Sequence, residues 1–290
     1  MQKYIAWCND YNKNTGEGKL ARKFIRKFGK NKVKVITPRL NFFLSNYIFQ
    51  TTGIFVLWYY YFRLKKLIYL NYTPLWNSLI FLFSPPGTIF GPITGSIQIN
   101  KIRNIKSFLR FYIFPILYIF NLKILLLRSK KIIFATNILD KFINKNPEKK
   151  IITNFILQDL KFSKKNLGHR KYDLIIYYRN HENKFFDHHL NFIKKELKKG
   201  KKIVTVGEKT NIKGIKEFGK IGSNRLLNLI RSSKFSLSGD DNLFSLFNLE
   251  CMQHGVKIIF NHNLKFQIKK MRKNFFKAYD YKNKKFLNLT

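Results

Sequence analysis

The residues best placed for chemistry lie in one stretch, Gly239–Gly255 (GDDNLFSLFNLECMQHG). It follows an apolar run read as a buried strand, Phe235–Ser238, and leads into a helix expected over about 243–254. The first backbone N–H groups of a helix have no partner within it and lie at the positive end of its dipole. Those of Leu243, Phe244 and Ser245 are therefore candidates to hold a diphosphate. Glu250 lies eight residues beyond Asn242. On a helix that spacing puts both on roughly the same side, about 12 Å apart at about 1.5 Å per residue. Such a pair can bracket the two ends of an extended ligand. A plainer reading stays open here, with Asn242 as a helix N-cap and Glu250 as a solvated helix residue.

Other chemistry-bearing residues are fewer. Gly16-Glu17-Gly18 follows the first expected strand, and glycines let a backbone approach a ligand closely. Asp240-Asp241 has the look of a metal-binding acidic pair, with an ordinary acidic loop as the preferred reading. The six histidines are His169, His181, His188, His189, His254 and His262. His188-His189 reads as a surface pair on a helix, and His254 as a packing residue. Cys8 and Cys251 form no CxxC, which argues against a disulfide framework or a structural zinc site.

The elements that must position these residues alternate. Tyr4–Cys8 is an expected strand, followed by a polar loop, a helix over about 19–28 and a strand at Lys32–Ile36. A helix over 47–63, a strand at Lys66–Asn71 and a helix from Pro74 to about Phe83 come next. Thr88–Phe90 reads as a strand, 104–127 as a helix, Lys131–Ala135 as a strand, 137–143 as a helix and 151–156 as a strand. The polar stretch 161–171 (KFSKKNLGHRK) marks a boundary between domains 1–160 and 161–290. Beyond it come a strand at Asp173–Tyr178, a helix over 185–199 and strands at Lys202–Val206 and Gly214–Phe218. A helix over 223–232, the Gly239–Gly255 region, a strand at Val256–Phe260 and a basic C-terminal helix complete the series. Strands alternating with helices predict an α/β fold built on parallel sheets. Ligands of such folds bind at the carboxyl ends of the strands.

Composition bounds the rest. Of 290 residues, 56 are Lys or Arg and 15 are Asp or Glu, a net charge of +41. That favours an anionic partner, whether nucleic acid, membrane surface or phosphorylated substrate. An AT-rich coding bias toward Lys, Asn, Ile, Phe and Tyr competes as the cause. Residues 47–62 are apolar but short for a membrane span, and 108–127 are interrupted by Arg110, Pro115, Asn121 and Lys123. A buried helix, or a face resting on the bilayer, is the preferred reading. Residues 1–10 (MQKYIAWCND) do not read as a secretory leader, so the expected location is the cytoplasm.

In Gly239–Gly255 the chain resembles the retaining GT-B glycosyltransferases of family four. Their donor motif is an acidic residue, seven intervening positions and a Glu, closing on a glycine before a valine-led strand. Here it ends Glu250-Cys251-Met252-Gln253-His254-Gly255-Val256, with Asn242 at the first position. The resemblance implies that Glu250 binds the ribose hydroxyls of a nucleotide. Asn242 then stands at the sugar, where an amide hydrogen-bonds hydroxyls but brings no charge. Arg179, at the end of its strand, and Lys184 take the family's grip on the donor phosphates. Preplaced cations stabilise the negative charge that grows on a departing diphosphate. Gly16 and Gly18 would face the diphosphate and sugar, and the backbone at Lys220 and Ile221 the base.

The implied fold is two Rossmann-like domains facing a cleft. The implied activity is retaining transfer of a sugar from a nucleotide diphosphate sugar to a glycan or lipid-linked acceptor of surface polysaccharide or lipopolysaccharide. No metal and no resident cofactor are expected, nor is nucleic acid, while peripheral contact with the inner face of a membrane is. Two other readings compete: a basic nucleic-acid-binding protein, favoured by charge and aromatics, and a noncatalytic GT-B relative, favoured by Asn242 and the lack of an N-terminal histidine.

Overall fold

An apolar segment buried on both faces of a sheet opens the chain. β1 (Tyr4–Trp7) buries Ile5, Ala6 and Trp7. α1 (Gly16–Phe28) follows, its start capped by the Thr15 hydroxyl, which accepts from the Gly18 N–H. Leu20, Ala21, Phe24 and Ile25 form its buried stripe, and Arg26 and Lys27 point to solvent. β2 (Val33–Ile36), α2 (Ser45–Tyr61), β3 (Lys66–Tyr69), α3 (Ser78–Phe83) and β4 (Ile89–Phe90) continue the alternation. A helical stretch then runs as α4 (Ile105–Phe108), a π turn (Leu109–Ile113) and α5 (Phe114–Arg128). The four strands lie in the order β2-β1-β3-β4, all parallel. β5 (Ile132–Ile133) and β6 (Ile151–Ile152) pair in parallel beyond β4, joined to it through an Ile93–Phe134 bridge. α2 lies so close to β1 that a Cβ on Gly53 would come within 2.3 Å of the Trp7 ring.

The computed structural model describes residues 3–38, 45–71, 73–96, 104–129, 131–143, 151–158, 170–179, 186–240, 242–268 and 273–289. They fall into two compact units, one up to Gln158 and the other from Arg170 onward.

The second unit carries β7 (Tyr172–Tyr178), α6 (Asp187–Lys198), β8 (Ile203–Gly207), β9 (Lys216–Glu217), α7 (Ser223–Arg231), β10 (Ser233–Leu237), α8 (Leu246–Gln253) and β11 (Lys257–Asn261). β12 (Phe276–Asp280) and β13 (Lys285–Leu287) complete a seven-stranded sheet, ordered β13-β12-β11-β10-β7-β8-β9. Every pairing is parallel except β12 with β13. Both units are therefore Rossmann-like α/β layers, as the alternation of periods predicts.

Three elements differ from expectation. Pro74 does not open a helix, because it bridges Thr94 and the Leu75 N–H is spent on the Thr94 carbonyl; the helix starts at Ser78. Residues 137–143 hold no α-helix but a single 3-10 turn, Asp140–Phe142, because Ile138 and Leu139 turn inward as core plugs. The basic C-terminal helix is absent from the described residues. Two 3-10 stretches, His262–Ile268 and Lys273–Phe275, lead instead into the β12–β13 hairpin. The Asp280 carboxylate turns that hairpin by accepting from the N–H groups of Lys282 and Asn283.

Candidate functional site

In an open parallel sheet, a crevice forms where successive connections leave in opposite directions. In the second unit the chain passes from β7 to β8 on one side, then returns to place β10 on the other. The carboxyl ends of β7 and β10 are therefore the switch point. Arg179 follows β7 directly and is exposed. β8 ends there on Gly207, which has φ of 101°, and any Cβ at that position would come within 2.4 Å of the Tyr178 carbonyl. The loop carrying Lys220 (exposed) and Ile221 (half-buried) reaches the same sheet edge, since the Gly207 N–H donates to the Gly219 carbonyl. Lys184 lies outside the described residues.

Sequence reasoning missed the centre of this edge. His188 and His189 are not a surface pair, since His189 is fully buried and the His188 side chain is 28% exposed. His188 Nε2 lies 3.0 Å and His189 Nε2 3.3 Å from the two oxygens of Asp240, itself 2% exposed. Asn261 Nδ2, from the end of β11, donates to the same carboxylate at 3.1 Å. The His188 ring lies 5.6 Å from Phe186, nearly parallel to it, and 4.4 Å from Tyr281. Burial, and then the charge of Asp240, push the Tyr281 phenol well above its ordinary range. The start of α6, the end of β11 and the residue after β12 thus meet around one carboxylate that follows β10. The signal in the sequence was Asp240 itself, an acid placed directly after a buried strand.

Two imidazoles and a carboxylate, with ligand atoms within 4.8 Å of one another, are a metal-ligand set by type. Their hydrogen bonding argues otherwise. His189 Nδ1 accepts from the Phe186 N–H at 3.1 Å, so the proton of the neutral ring sits on Nε2, facing Asp240. That nitrogen then has no lone pair for a metal. The cluster acts as a hydrogen-bonded anchor that fixes the His188 ring.

The β10–α8 connection also differs from its reading. α8 begins at Leu246, with Ser245 as N-cap accepting from the Asn248 N–H at 3.2 Å. The Leu243 N–H donates to Gln267 Oε1 at 3.0 Å and the Phe244 N–H to Asn242 Oδ1 at 2.9 Å. Leu243 and Phe244 are wholly buried, so their N–H groups need partners within the protein. The N–H groups of Leu243 and Phe244 are therefore spent within the protein, and at the start of α8 the N–H groups of Leu246 and Phe247 are the ones that the helix itself cannot satisfy. Asn242 lies before the helix, so the helical spacing to Glu250 does not apply. Glu250 is half-buried at the fifth helical position. Asn248 pins the turn by donating to Ser238 Oγ and the Leu243 carbonyl. Phe247 stacks on Tyr177 at 5.5 Å, which brings the first turn of α8 to the end of β7 beside Arg179.

The first unit has a switch point of its own, between β1 and β3. Asn71, just past β3, donates to the carbonyls of Asp10 and Glu17 and accepts from the Asp10 N–H. Gly16 and Gly18 are helical residues, not part of an open loop. Gly18 is buried, its N–H is taken by Thr15, and a Cβ there would meet the Asn12 carbonyl oxygen at 1.9 Å. Its smallness admits the chain's own loop, which folds over the helix start. Burial, and then the neighbouring Asp10, raise the Glu17 carboxyl to about 7. Both cysteines are free and buried, and burial pushes their thiols far above the range of a reactive thiolate.

No known family model matches the sequence, and no curated protein matches it. Among solved structures, similarity is found to an α-glucosyltransferase in complex with UDP-glucose and DNA containing an abasic site. That match has 12% identity and a TM-score of 0.48, and covers 90% of this chain and 79% of the other. A UDP-GlcNAc 2-epimerase of Methanocaldococcus jannaschii, with UDP-GlcNAc and UDP, has 14% identity, a TM-score of 0.48 and coverage of 90% and 83%. An E. coli heptosyltransferase with ADP has 9% identity, a TM-score of 0.33 and coverage of 89% and 86%.

Proposed function

We propose that the second unit binds a nucleotide diphosphate sugar and that the chain is a GT-B glycosyltransferase. The observation that carries this reading is the β7–β10 switch point. It gathers an exposed arginine, a helix start with unspent N–H groups and a glutamate one turn further along that helix. In this reading Arg179 and the Leu246 and Phe247 N–H groups hold the diphosphate, and Lys184 is assigned to it as a second cation. Glu250 takes the ribose hydroxyls, Asn242 the sugar, and the Lys220–Ile221 backbone the base.

During transfer the bond between the anomeric carbon and the phosphate oxygen breaks, and one to the acceptor oxygen forms. The acceptor proton passes to the departing phosphate. Arg179 stabilises the charge that develops there, more in the transition state than before it. The reaction proposed is retaining and needs no metal. The acceptor, a glycan or lipid-linked intermediate of surface polysaccharide or lipopolysaccharide, falls to the first unit, where Asp10 and Glu17 offer hydroxyl-binding carboxyl groups. The work is done in the cytoplasm, at the inner face of a membrane.

Calorimetry with UDP, GDP and ADP on the wild type and Glu250→Ala tests this, with a random oligonucleotide as control at moderate salt. Tight binding of one nucleotide, weakened at least tenfold in the variant, supports the donor site. Oligonucleotide binding without nucleotide binding overturns it in favour of a nucleic-acid-binding protein.

A further inference from the structure

The first unit carries an apolar surface that its own fold leaves open. Of the large hydrophobic side chains exposed among the described residues, all but Tyr177 and Phe286 fall between Phe55 and Leu127. They sit on α2, α3 and the α4–α5 stretch, and α3 packs against both α2 and α5. Trp58 Nε1 donates to the Phe83 carbonyl, and the Arg128 guanidinium to the Phe81 carbonyl, each at 2.8 Å, which joins the three helices into one surface.

α5 shows how this surface is built. Tyr118, Asn121, Leu122 and Leu125 form its buried face, and Asn121 Nδ2 donates to the Leu75 carbonyl at 2.6 Å. Ile116, Ile119, Phe120 and Leu127 lie on the opposite face; Ile116 is 65% and Leu127 87% exposed. Leu109–Arg128 is long and apolar enough to cross a membrane. Its inner face, however, is part of the unit's core, so the helix lies along the unit's surface and does not leave it. At the end of α2, Phe55, Tyr59 and Phe62 repeat at helical spacing as a second exposed stripe, with Phe55 74% and Phe62 75% exposed. So large an apolar area on a soluble surface marks a contact site.

Charge identifies what covers it. Between Gly18 and Leu139 the chain has twenty Lys and Arg and no Asp or Glu. Arg63 lies 4.0 Å over the Tyr59 ring, and Lys123 is exposed on α5. Aromatic and aliphatic side chains interleaved with cations suit the boundary between anionic headgroups and acyl chains. A second copy of this face would instead set cation against cation. We infer that the α2–α3–α5 surface seats the first unit on an anionic bilayer, lying in its interface without spanning it. This inference rests on the membrane-face location proposed above and names the surface behind it; none of its residues belongs to the donor site, so it can fail without the proposed activity failing.

The test is co-sedimentation of the full chain with vesicles of pure phosphatidylcholine or of phosphatidylcholine with about a third phosphatidylglycerol. The expected result is binding to the anionic vesicles, falling at least tenfold from low to high salt and released by alkaline carbonate. Phe111→Ser/Ile116→Ser/Phe120→Ser should cut the vesicle-bound fraction at least tenfold. Its circular dichroism and nucleotide binding should match the wild type, since all three side chains are exposed. Equal vesicle binding by the triple variant, or no preference for anionic lipid, overturns the inference. So does a wild-type dimer that the triple variant converts to a monomer with no vesicle binding in either. Resistance to carbonate extraction overturns the interfacial placement in favour of a span.

Discussion

The two switch points of this protein share a topology and differ in chemistry. In each unit the first strand is flanked by strands that depart in opposite directions, β1 between β2 and β3, and β7 between β8 and β10. Each crevice receives the start of a helix. In the first unit that start is filled from within, as Thr15 caps it and the Asn12 backbone occupies the space a Gly18 side chain would take. The groups left are two carboxyls, Asp10 and Glu17, since the Asn71 amide is spent on their backbone. In the second unit the helix start is tied down from behind by Asn248 and Gln267, and its first N–H groups and Arg179 remain available. Topology makes the crevice in both units, and the side chains around it decide the sign of charge it accepts.

The sharpest test of that difference is nucleotide binding. Arg179→Ala should weaken diphosphate binding by one to two orders of magnitude, and transfer by about 10²–10³. Asp10→Asn should leave nucleotide affinity within about twofold. A comparable loss in both variants would mean the crevices are not specialised. Stability comes next. Asp240→Ala removes the acceptor of His188 and Asn261 and the charge that His189 faces, and should cost about 3 kcal/mol in urea unfolding, as expected when buried partners are left unpaired. Because Asp240 stands at the carboxyl end of β10, at the switch point, nucleotide affinity should fall as well, and Asp240→Asn should recover part of both losses.

Gly18→Ala should cost about 2 kcal/mol, because its methyl group meets rigid backbone. Gly16→Ala, at the exposed first helical position, should be neutral or mildly stabilising. The smallest effect concerns Glu17. Its folded-state carboxyl is raised from an ordinary 4.5 to about 7. The unfolded chain therefore gives up its proton first, and the group's contribution falls as pH rises from about 4.5 to 7, then stays flat. Glu17→Gln removes that slope. Its thermal midpoint relative to wild type should rise between pH 5 and pH 8 by an amount equivalent to about 1–2 kcal/mol.

Strands were the most legible elements because their cue is local. Tyr172–Tyr178 and Ile203–Gly207 are continuous apolar runs of the kind that only a doubly covered parallel strand requires. Helix starts were less legible. Asn242 and Ser245 are both good N-caps, and the choice between them depends on Gln267, which takes the Leu243 N–H from 24 residues away. The β12–β13 hairpin was read as a basic helix because lysines mask its apolar alternation, and its strand character comes from lying beside β11.

By itself the sequence determined the α/β alternation, the excess of basic charge and the Asn242–Glu250 stretch after a buried strand. Each rests on neighbours within one or two turns of chain. The tertiary structure alone decided that His188 and Asp240, 52 residues apart, meet at the β7–β10 switch point. It also decided that Gly18 serves packing, and that the apolar helices of the first unit leave half their surface outside the core. Those outcomes depend on strand order and on competition for buried hydrogen-bond partners, which are long-range properties that local periodicity does not encode.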